Sequence, residues 1–257
     1  MRLRSMQATF RRERVPRMAI LMRAGVACGF LTLLLYGAQG ASPGSPQEAG
    51  AAVVIQRVDA AVQARYQRVL GFTDIEHYAV FRGKDEAHPI AEMTVKDTYR
   101  KDVGKTYAVL TQSGSEILLR LGLRPLLDNE RMINEPANLP RSWFTSANYE
   151  MKPRGAERLN QRDCLVLAVK ARHKASNAID GNIWVDAKDY SLAQIDGVAS
   201  KSPSLFAGTT HMMREYAQID GFPMATHARA ESSSNLFGRT VVTIDYSDYH
   251  LEIDRRK

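Results

Sequence analysis

The side chains that could carry out catalysis are spread along the chain without a recognisable catalytic spacing. The sequence contains no HExxH, CxxC or Gly-x-Ser-x-Gly motif and no glycine-rich phosphate loop. Its six histidines are scattered, and none is spaced from another as paired metal ligands are. The sequence therefore predicts a protein that is not an enzyme and that uses no metal or cofactor.

Three local groups offer chemistry, and each has a simpler structural interpretation. Asp186 and Asp189 could form an acid–base pair, but they flank a short link between strands, where aspartate commonly bonds its own backbone. His211 precedes two methionines, a soft-metal combination, but no further cysteine or methionine lies nearby. Cys164 has alternating apolar neighbours, which favours a buried small side chain over a nucleophile.

The positive charge of the chain is concentrated at its N-terminus. The formal net charge is +7, but residues 1–23 hold seven arginines and one acid, and residues 24–40 hold no charge. The remaining 217 residues therefore carry a net charge of about +1. Without a clustered positive surface, counterion release cannot drive binding to DNA or RNA. Nucleic acids are excluded as partners.

The same N-terminal pattern predicts export. The cationic stretch is followed by an apolar run over residues 24–36, and Ala38 and Gly40 provide the small residues of a cleavage site before Ala41. The apolar run is shorter than the ~20 residues that span a bilayer, so cleavage is favoured over an uncleaved anchor. We expect a periplasmic protein.

The predicted domain organisation follows from these boundaries. Residues 1–40 form a signal peptide, with translation starting at Met1 or Met18. Residues 41–50 are small and rich in proline and glycine, as in a flexible tether. Residues 51–257 form one folded domain.

That domain begins with an amphipathic helix and continues mainly as strands. Ile55, Val58, Val62, Tyr66 and Val69 recur at helical spacing, and Gly71 is expected to end the helix. Short segments rich in β-branched and aromatic residues then alternate with turn residues, and such short connections make antiparallel neighbours. The predicted strands are Ile75–Arg82, Ile90–Lys101, Lys105–Gln112, Asn148–Pro153, Asp163–Arg172, Gly181–Asp186, Leu192–Ala199, Thr209–Asp220, Met224–Ser232 and Arg239–Ile253.

A leucine-rich segment, Ser115–Ile133, interrupts the strands and predicts one or two short helices broken at Pro125. It is either a plug for the open sheet or a lid that moves when an apolar ligand enters. The loop from Lys201 to Gly208 carries Leu205 and Phe206, which either contact a membrane or partner or fold back on the core.

The predicted fold class is α+β, with about ten strands in one large curved antiparallel sheet, an incomplete β-barrel, and helices covering its concave face. Wide sheets curl, and a hollow that two helices do not fill is an apolar cavity. The side chains expected to line that cavity or to form its lid are Leu118, Leu119, Leu123, Leu126, Leu127, Val62, Ile183 and Val185.

The order of these features resembles a known family. After the leucine-rich segment come Gly181-Asn-Ile-Trp-Val-Asp, Leu192-Ala-Gln-Ile-Asp-Gly, Arg214-Glu-Tyr, Ile219-Asp-Gly-Phe-Pro and Val242-Thr-Ile-Asp-Tyr-Ser-Asp-Tyr. This is similar to the outer-membrane lipoprotein-sorting superfamily of LolA/LolB-like half-barrels, over residues 51–253. The resemblance implies an open β-barrel closed by helices, with an apolar interior that holds acyl chains.

Three functional hypotheses remain open at this point. The favoured one is a periplasmic carrier of lipid or of acylated lipoprotein, without enzymatic activity. This hypothesis leaves open whether the carrier also binds a membrane-bound partner protein. The alternative is a sensor or partner-binding module of the same fold with a self-filled cavity. The least favoured is a hydrolase acting on lipid or cell-wall material.

Overall fold

The computed structural model describes residues 46–201, 208–234 and 238–255, with side chains from residue 50 onward except that of Ser234. Its helical segments are α1 (Pro46–Arg68), α2 (Glu116–Leu118), a π-helical turn (Leu119–Leu123), α3 (Arg124–Ile133) and a 3₁₀ turn (Leu139–Ser142). Its strands are β1 (Val69–Arg82), β2 (Ala91–Arg100), β3 (Gly104–Gly114), β4 (Tyr149–Leu159), β5 (Arg162–Ala171), β6 (Ile179–Asp186), β7 (Leu192–Ala199), β8 (Thr209–Ile219), β9 (Phe222–Ser234) and β10 (Gly238–Ile253).

The ten described strands form one open antiparallel sheet. Their order is β3-β2-β1-β10-β9-β8-β7-β6-β5-β4, so every neighbour except the β1–β10 pair is consecutive in sequence. The long β1–β10 ladder joins the two ends of the domain. Strands β3 and β4 remain as edges, so the sheet curves without closing. The predicted fold class is confirmed.

The junction between α1 and β1 differs from the prediction. Helix α1 ends at Arg68 and Val69 already belongs to β1, so Gly71 lies in the strand and does not end the helix. Gly71 pairs with Arg100, and a Cβ there would lie 2.9 Å from the carbonyl oxygen of Tyr99. A glycine in a strand commonly marks such a close backbone approach. The helix also begins earlier, at Pro46, inside the stretch expected to be a tether.

Residues 116–133 form one continuous helical segment, which we call the covering helix. The predicted break at Pro125 is wrong, because Pro125 lies in the first turn of α3. A proline there removes an amide that lacks an intrahelical partner in any case. The preceding π-helical turn widens the helix at Leu119–Leu123.

The two sides of the hollow are packed separately. The covering helix buries Leu119, Leu123 and Leu127 in a first hydrophobic cluster formed with β1, β2, β9 and β10. Helix α1 buries Val58 in a second cluster formed with strands β4 to β7. The leucines are four residues apart, so they share one helix face.

Some predictions fall outside the described residues. These are the signal peptide (1–40) with its cleavage site, and the predicted membrane or partner contact of Leu205 and Phe206. Among the helices that the structure describes, none has both the length and the apolar character required to span a membrane.

Candidate functional site

A group of charged side chains lies inside the sheet, beside the first hydrophobic cluster. Asp74 on β1 and Asp97 on β2 are directly paired across the two strands, and both are buried. Glu76 follows on the same face of β1 and is fully buried. We call the set the inner charged cluster, and it consists of Asp74, Glu76, Asp97, Lys105, Glu130 and Arg214.

Lys105 on β3 neutralises part of this negative charge. Its Nζ lies 2.8 Å from Glu76 Oε1 and 3.0 Å from Asp97 Oδ2. Tyr78 also donates its hydroxyl to Glu76, at 2.5 Å. Although burial alone lowers the pKa of Lys105, the neighbouring carboxylates, led by Glu76, raise it well above its usual value. Lys105 is therefore a cation at neutral pH.

The inner charged cluster also holds the covering helix against the sheet. Glu130 on α3 lies 3.7 Å from Lys105 Nζ and 3.4 Å from the guanidinium of Arg214 on β8. Burial alone raises the pKa of Glu130, but the two cations outweigh it and lower the pKa. Glu130 thus connects the helix to two well-separated strands through charge-assisted contacts.

The pKa values of the two aspartates shift in the opposite direction to that of Glu130, because the effect of burial outweighs that of the neighbouring cation. Burial raises the pKa of Asp74 to about 8 and that of Asp97 to about 6, despite the opposing charge of Lys105. Neither carboxylate oxygen of Asp74 accepts a hydrogen bond from a described group. Protonation of one of the two facing carboxyl groups removes the repulsion between them.

Oxygen atoms of Asp74, Glu76 and Asp97 lie within 4.8 Å of one another. Hard divalent cations bind oxygen ligands at such spacing. In this cluster, however, the ammonium of Lys105 already contacts two of the three carboxylates. The geometry therefore fits a charge-compensated structural cluster better than a metal centre.

A groove lies at the C-terminal end of the covering helix and has a volume of about 630 Å³. It runs between that helix end, the 3₁₀ turn, the start of β4 and the β5–β6 loop. The volume falls within the range of small-molecule sites. Its apolar lining is Met132, Ile133, Tyr149, Ala175 and Ala178, and its polar lining is Asn138, Arg141, Ser142, Asn148, His173 and Asn177.

Hydrogen bonds hold the wall of this groove in place. The Asn148 side chain donates to the carbonyl oxygens of Pro140 and Trp143, at 2.8 and 2.9 Å. Ser146 donates its backbone N–H and its hydroxyl to Asp59 on α1, at 2.8 and 2.6 Å. The segment between α3 and β4, residues 134–148, is therefore held both by its own hydrogen bonds and by helix α1.

The charge of the groove is one-sided. Arg141 and His173 are exposed at its rim, and the described lining contains no carboxylate. Within the apolar lining, Met132 exposes about half of its surface and Tyr149 is buried. The groove thus combines an apolar floor with a basic rim.

The residues predicted to line one cavity belong to two separate clusters. Leu119, Leu123 and Leu127 are buried in the first, where Leu118 and Leu126 pack at its border. Ile183 and Val185 are fully buried in the second. Val62 on α1 is half-buried. Their contact with a ligand stays a prediction, since in this structure they pack against the protein itself.

The local groups with possible chemistry have structural roles. Asp186 accepts the backbone N–H of Lys188 at 2.6 Å and pairs with Arg162, as the turn interpretation predicts. Cys164 is buried, and burial raises the pKa of its thiol. His211 contacts Asp196 at 2.9 Å on an exposed strand surface.

One further histidine arrangement was not predicted. His77 lies 3.1 Å from the hydroxyl of Thr94 and 3.4 Å from Glu92, through its two ring nitrogens. The three side chains lie on the outer face of the β1–β2 ladder, because the intervening Glu76 and Tyr78 face inward. They do not line the groove of about 630 Å³, so a hydrolase gains no support from them.

Sequence reasoning missed the inner charged cluster and the groove. The sequence does contain a signal for the cluster. Asp97 alternates along β2 with the apolar residues Met93, Val95 and Tyr99, so all four side chains point to the same face of the sheet. An aspartate on an otherwise apolar stripe indicates a buried charge. The groove has no comparable signal, because its lining residues come from four separate segments.

No protein-family model matches this sequence. No curated protein matches it either.

Several solved structures align with most of this chain. An outer membrane lipoprotein-sorting protein domain from Vibrio parahaemolyticus is 12% identical with a TM-score of 0.45, covering 79% of this chain and 93% of its own. A LolA superfamily protein from Nitrosomonas europaea is 12% identical with a TM-score of 0.41 and the same coverage. The MucA/MucB complex of Pseudomonas aeruginosa contains a chain 10% identical, with a TM-score of 0.26, covering 79% of this chain and 94% of its own. Similarity at this level does not bear on the function of this chain.

Proposed function

We propose that this protein is a periplasmic, non-enzymatic binder and carrier of an anionic amphiphile, either a lipid or the acylated end of a lipoprotein. The observation that supports the proposal is the groove of about 630 Å³ with an apolar floor and a basic rim. Arg141 and His173 fit an acidic headgroup, and Met132 and Ile133 fit the start of an acyl chain.

The energetics favour apolar contact as the main source of affinity. Each methylene group removed from water contributes about 0.8 kcal/mol. A chain that enters the groove beside Met132 meets the end of the covering helix, whose inner leucines close the hollow. Deeper insertion therefore requires the covering helix to move, and Glu130 is the contact that resists the movement.

The proposal is tested by titrating the full-length protein with a dansyl-labelled undecanoic acid and displacing the probe with oleate. Met132→Glu places a carboxylate on the apolar floor and is expected to weaken binding at least about tenfold, by repulsion and by loss of apolar contact. Val53→Glu is the matched control, because Val53 on α1 exposes 50% of its surface and lies outside the groove.

The basic rim is tested with a second pair of variants. Arg141→Gln is expected to weaken binding several-fold, whereas Arg158→Gln, on an exposed part of β4 outside the groove, leaves it unchanged. Unsaturable binding, or equal affinity for Met132→Glu and Val53→Glu in folded protein, would rule out the groove as the binding site.

A second candidate is the partner-binding module with a self-filled interior. It is favoured by the burial of Leu119, Leu123 and Leu127 in the hollow where an acyl chain was expected. The titration separates the two functions, because this module binds neither the probe nor oleate while remaining folded.

A further inference from the structure

The outer side of the covering helix is apolar where an ordinary surface helix is polar. Ile117 exposes 64% of its surface and Leu121 exposes 67%, although both belong to the helix that buries Leu119 and Leu123 inward. Ile117 and Leu121 are four residues apart and therefore adjacent on the helix surface. An exposed apolar patch of this kind marks an interaction site.

The neighbouring edge strand extends the patch. Val109 and Leu110 on β3 are about half exposed, and β3 has no strand partner on its outer side among the described residues. Arg124 of the covering helix reaches this strand, since its guanidinium donates to Gln112 Oε1 at 3.4 Å. Helix and strand therefore form one surface. We call it the docking face, and it consists of Val109, Leu110, Ile117, Arg120, Leu121 and Arg124.

The charge of the docking face is positive. Arg120 and Arg124 are both exposed, and neither forms an ion pair with a carboxylate in the described part of the chain. Glu116 is the acidic residue at the start of the segment, and Asp128 beyond it is paired with Arg131 at 3.1 Å. Between residues 117 and 127 the charged side chains are the two arginines.

We infer that the docking face binds the surface of a bilayer rich in anionic lipid. Apolar side chains such as Ile117 and Leu121 enter the boundary between headgroups and acyl chains, and the adjacent arginines pair with lipid phosphates. The inference rests on the proposed function and extends it. Docking brings the covering helix, and the groove at its end, to the membrane that supplies or receives the acyl chain.

The test uses full-length protein and vesicles of phosphatidylcholine alone or mixed equally with phosphatidylglycerol. Because the N-terminal residues 1–40 are themselves cationic and apolar, the readout must be local. Hydrogen–deuterium exchange provides it, and the mixed vesicles are expected to slow exchange in the peptides covering residues 108–124. Exchange in β6 and β7 is expected to stay unchanged.

Matched variants separate the apolar and the charged contributions. Ile117→Ser with Leu121→Ser is expected to abolish the local protection, whereas Val53→Ser with Val198→Ser, two exposed valines elsewhere, preserves it. Arg120→Gln with Arg124→Gln is expected to remove the preference for phosphatidylglycerol, about fivefold or more at low salt. Arg154→Gln with Arg158→Gln, two exposed arginines of β4, retains it.

The inference is overturned if residues 108–124 show no protection on the mixed vesicles, or the same protection on phosphatidylcholine alone. Persistence of the protection in the Ile117→Ser, Leu121→Ser variant overturns it as well. The same variant is titrated with the labelled fatty acid. Retained probe binding there means that a failure to dock on vesicles leaves the proposed ligand-binding function intact.

Discussion

Asp74 and Asp97 face each other across the β1–β2 ladder, and both carboxyl groups are buried. Like charges directly opposite in a sheet destabilise it. The pair is tolerated because Lys105 contributes a positive charge and because burial favours the protonated form of each aspartate. This relationship makes the stability of the domain depend on pH.

The free energy of unfolding is expected to fall as the pH rises from about 4 to about 8. Burial raises the pKa of Asp97 to about 6 and that of Asp74 to about 8, so the folded state holds more protons than the unfolded state in this window. Stability is then lost with increasing pH, by up to about 1.4 kcal/mol per pH unit for each titrating group. Urea denaturation at several pH values measures the slope.

Asp74→Asn replaces the protonated aspartate with a neutral side chain of the same shape and is expected to flatten this slope. Asp128→Asn is the control, since Asp128 is exposed on the covering helix. Hydrogen bonds from Arg229 and Arg239 lower the pKa of Glu86 to about 2. The contribution of Glu86 to the free energy of unfolding therefore increases with pH, and it changes only at lower pH than that of the two aspartates. A wild-type profile that is flat or rises between pH 5 and 8 contradicts the prediction.

Glu130→Gln is expected to loosen the covering helix. The change removes the charge that pairs with Lys105 and Arg214, while Lys105 keeps its contacts to Glu76 and Asp97. A loss of about 1–3 kcal/mol in local stability follows. Hydrogen exchange of residues 124–133 is therefore expected to accelerate about tenfold or more.

Glu116→Gln removes a carboxylate from the same helix at an exposed position. It is expected to leave exchange in residues 124–133 unchanged. If both variants exchange at the wild-type rate, Glu130 does not hold the helix, and the lid mechanism loses its main contact.

Leu123→Ala is expected to destabilise the domain by about 2–5 kcal/mol, because Leu123 is 1% exposed inside the first hydrophobic cluster and its removal leaves a cavity. Leu121→Ala, two residues away and 67% exposed, is expected to change stability by less than about 0.5 kcal/mol. Thermal or urea unfolding of the two variants provides the comparison. Equal effects would mean that the helix is not packed on its leucine face.

Local patterns were sufficient to predict the strands. All ten predicted strands are present, and the bounds of β7 agree at both ends. The prediction was weakest for β4, which continues to Leu159, six residues beyond the predicted end. This edge strand is exposed over most of its length, so its residues lack the alternation of apolar and polar side chains that identifies a strand.

The sequence by itself determined the order of strands and turns, the open antiparallel sheet and the leucine face of the covering helix. These features depend on side chains two to four residues apart, whose periodicity is visible in the chain. Only the tertiary structure decided that Asp74 faces Asp97, that Lys105 compensates them, and that Glu130 is held by Arg214. Those contacts join positions up to 84 residues apart. The charges that meet in a buried site depend on which strands become neighbours, and the local periodicity of the sequence does not specify that pairing.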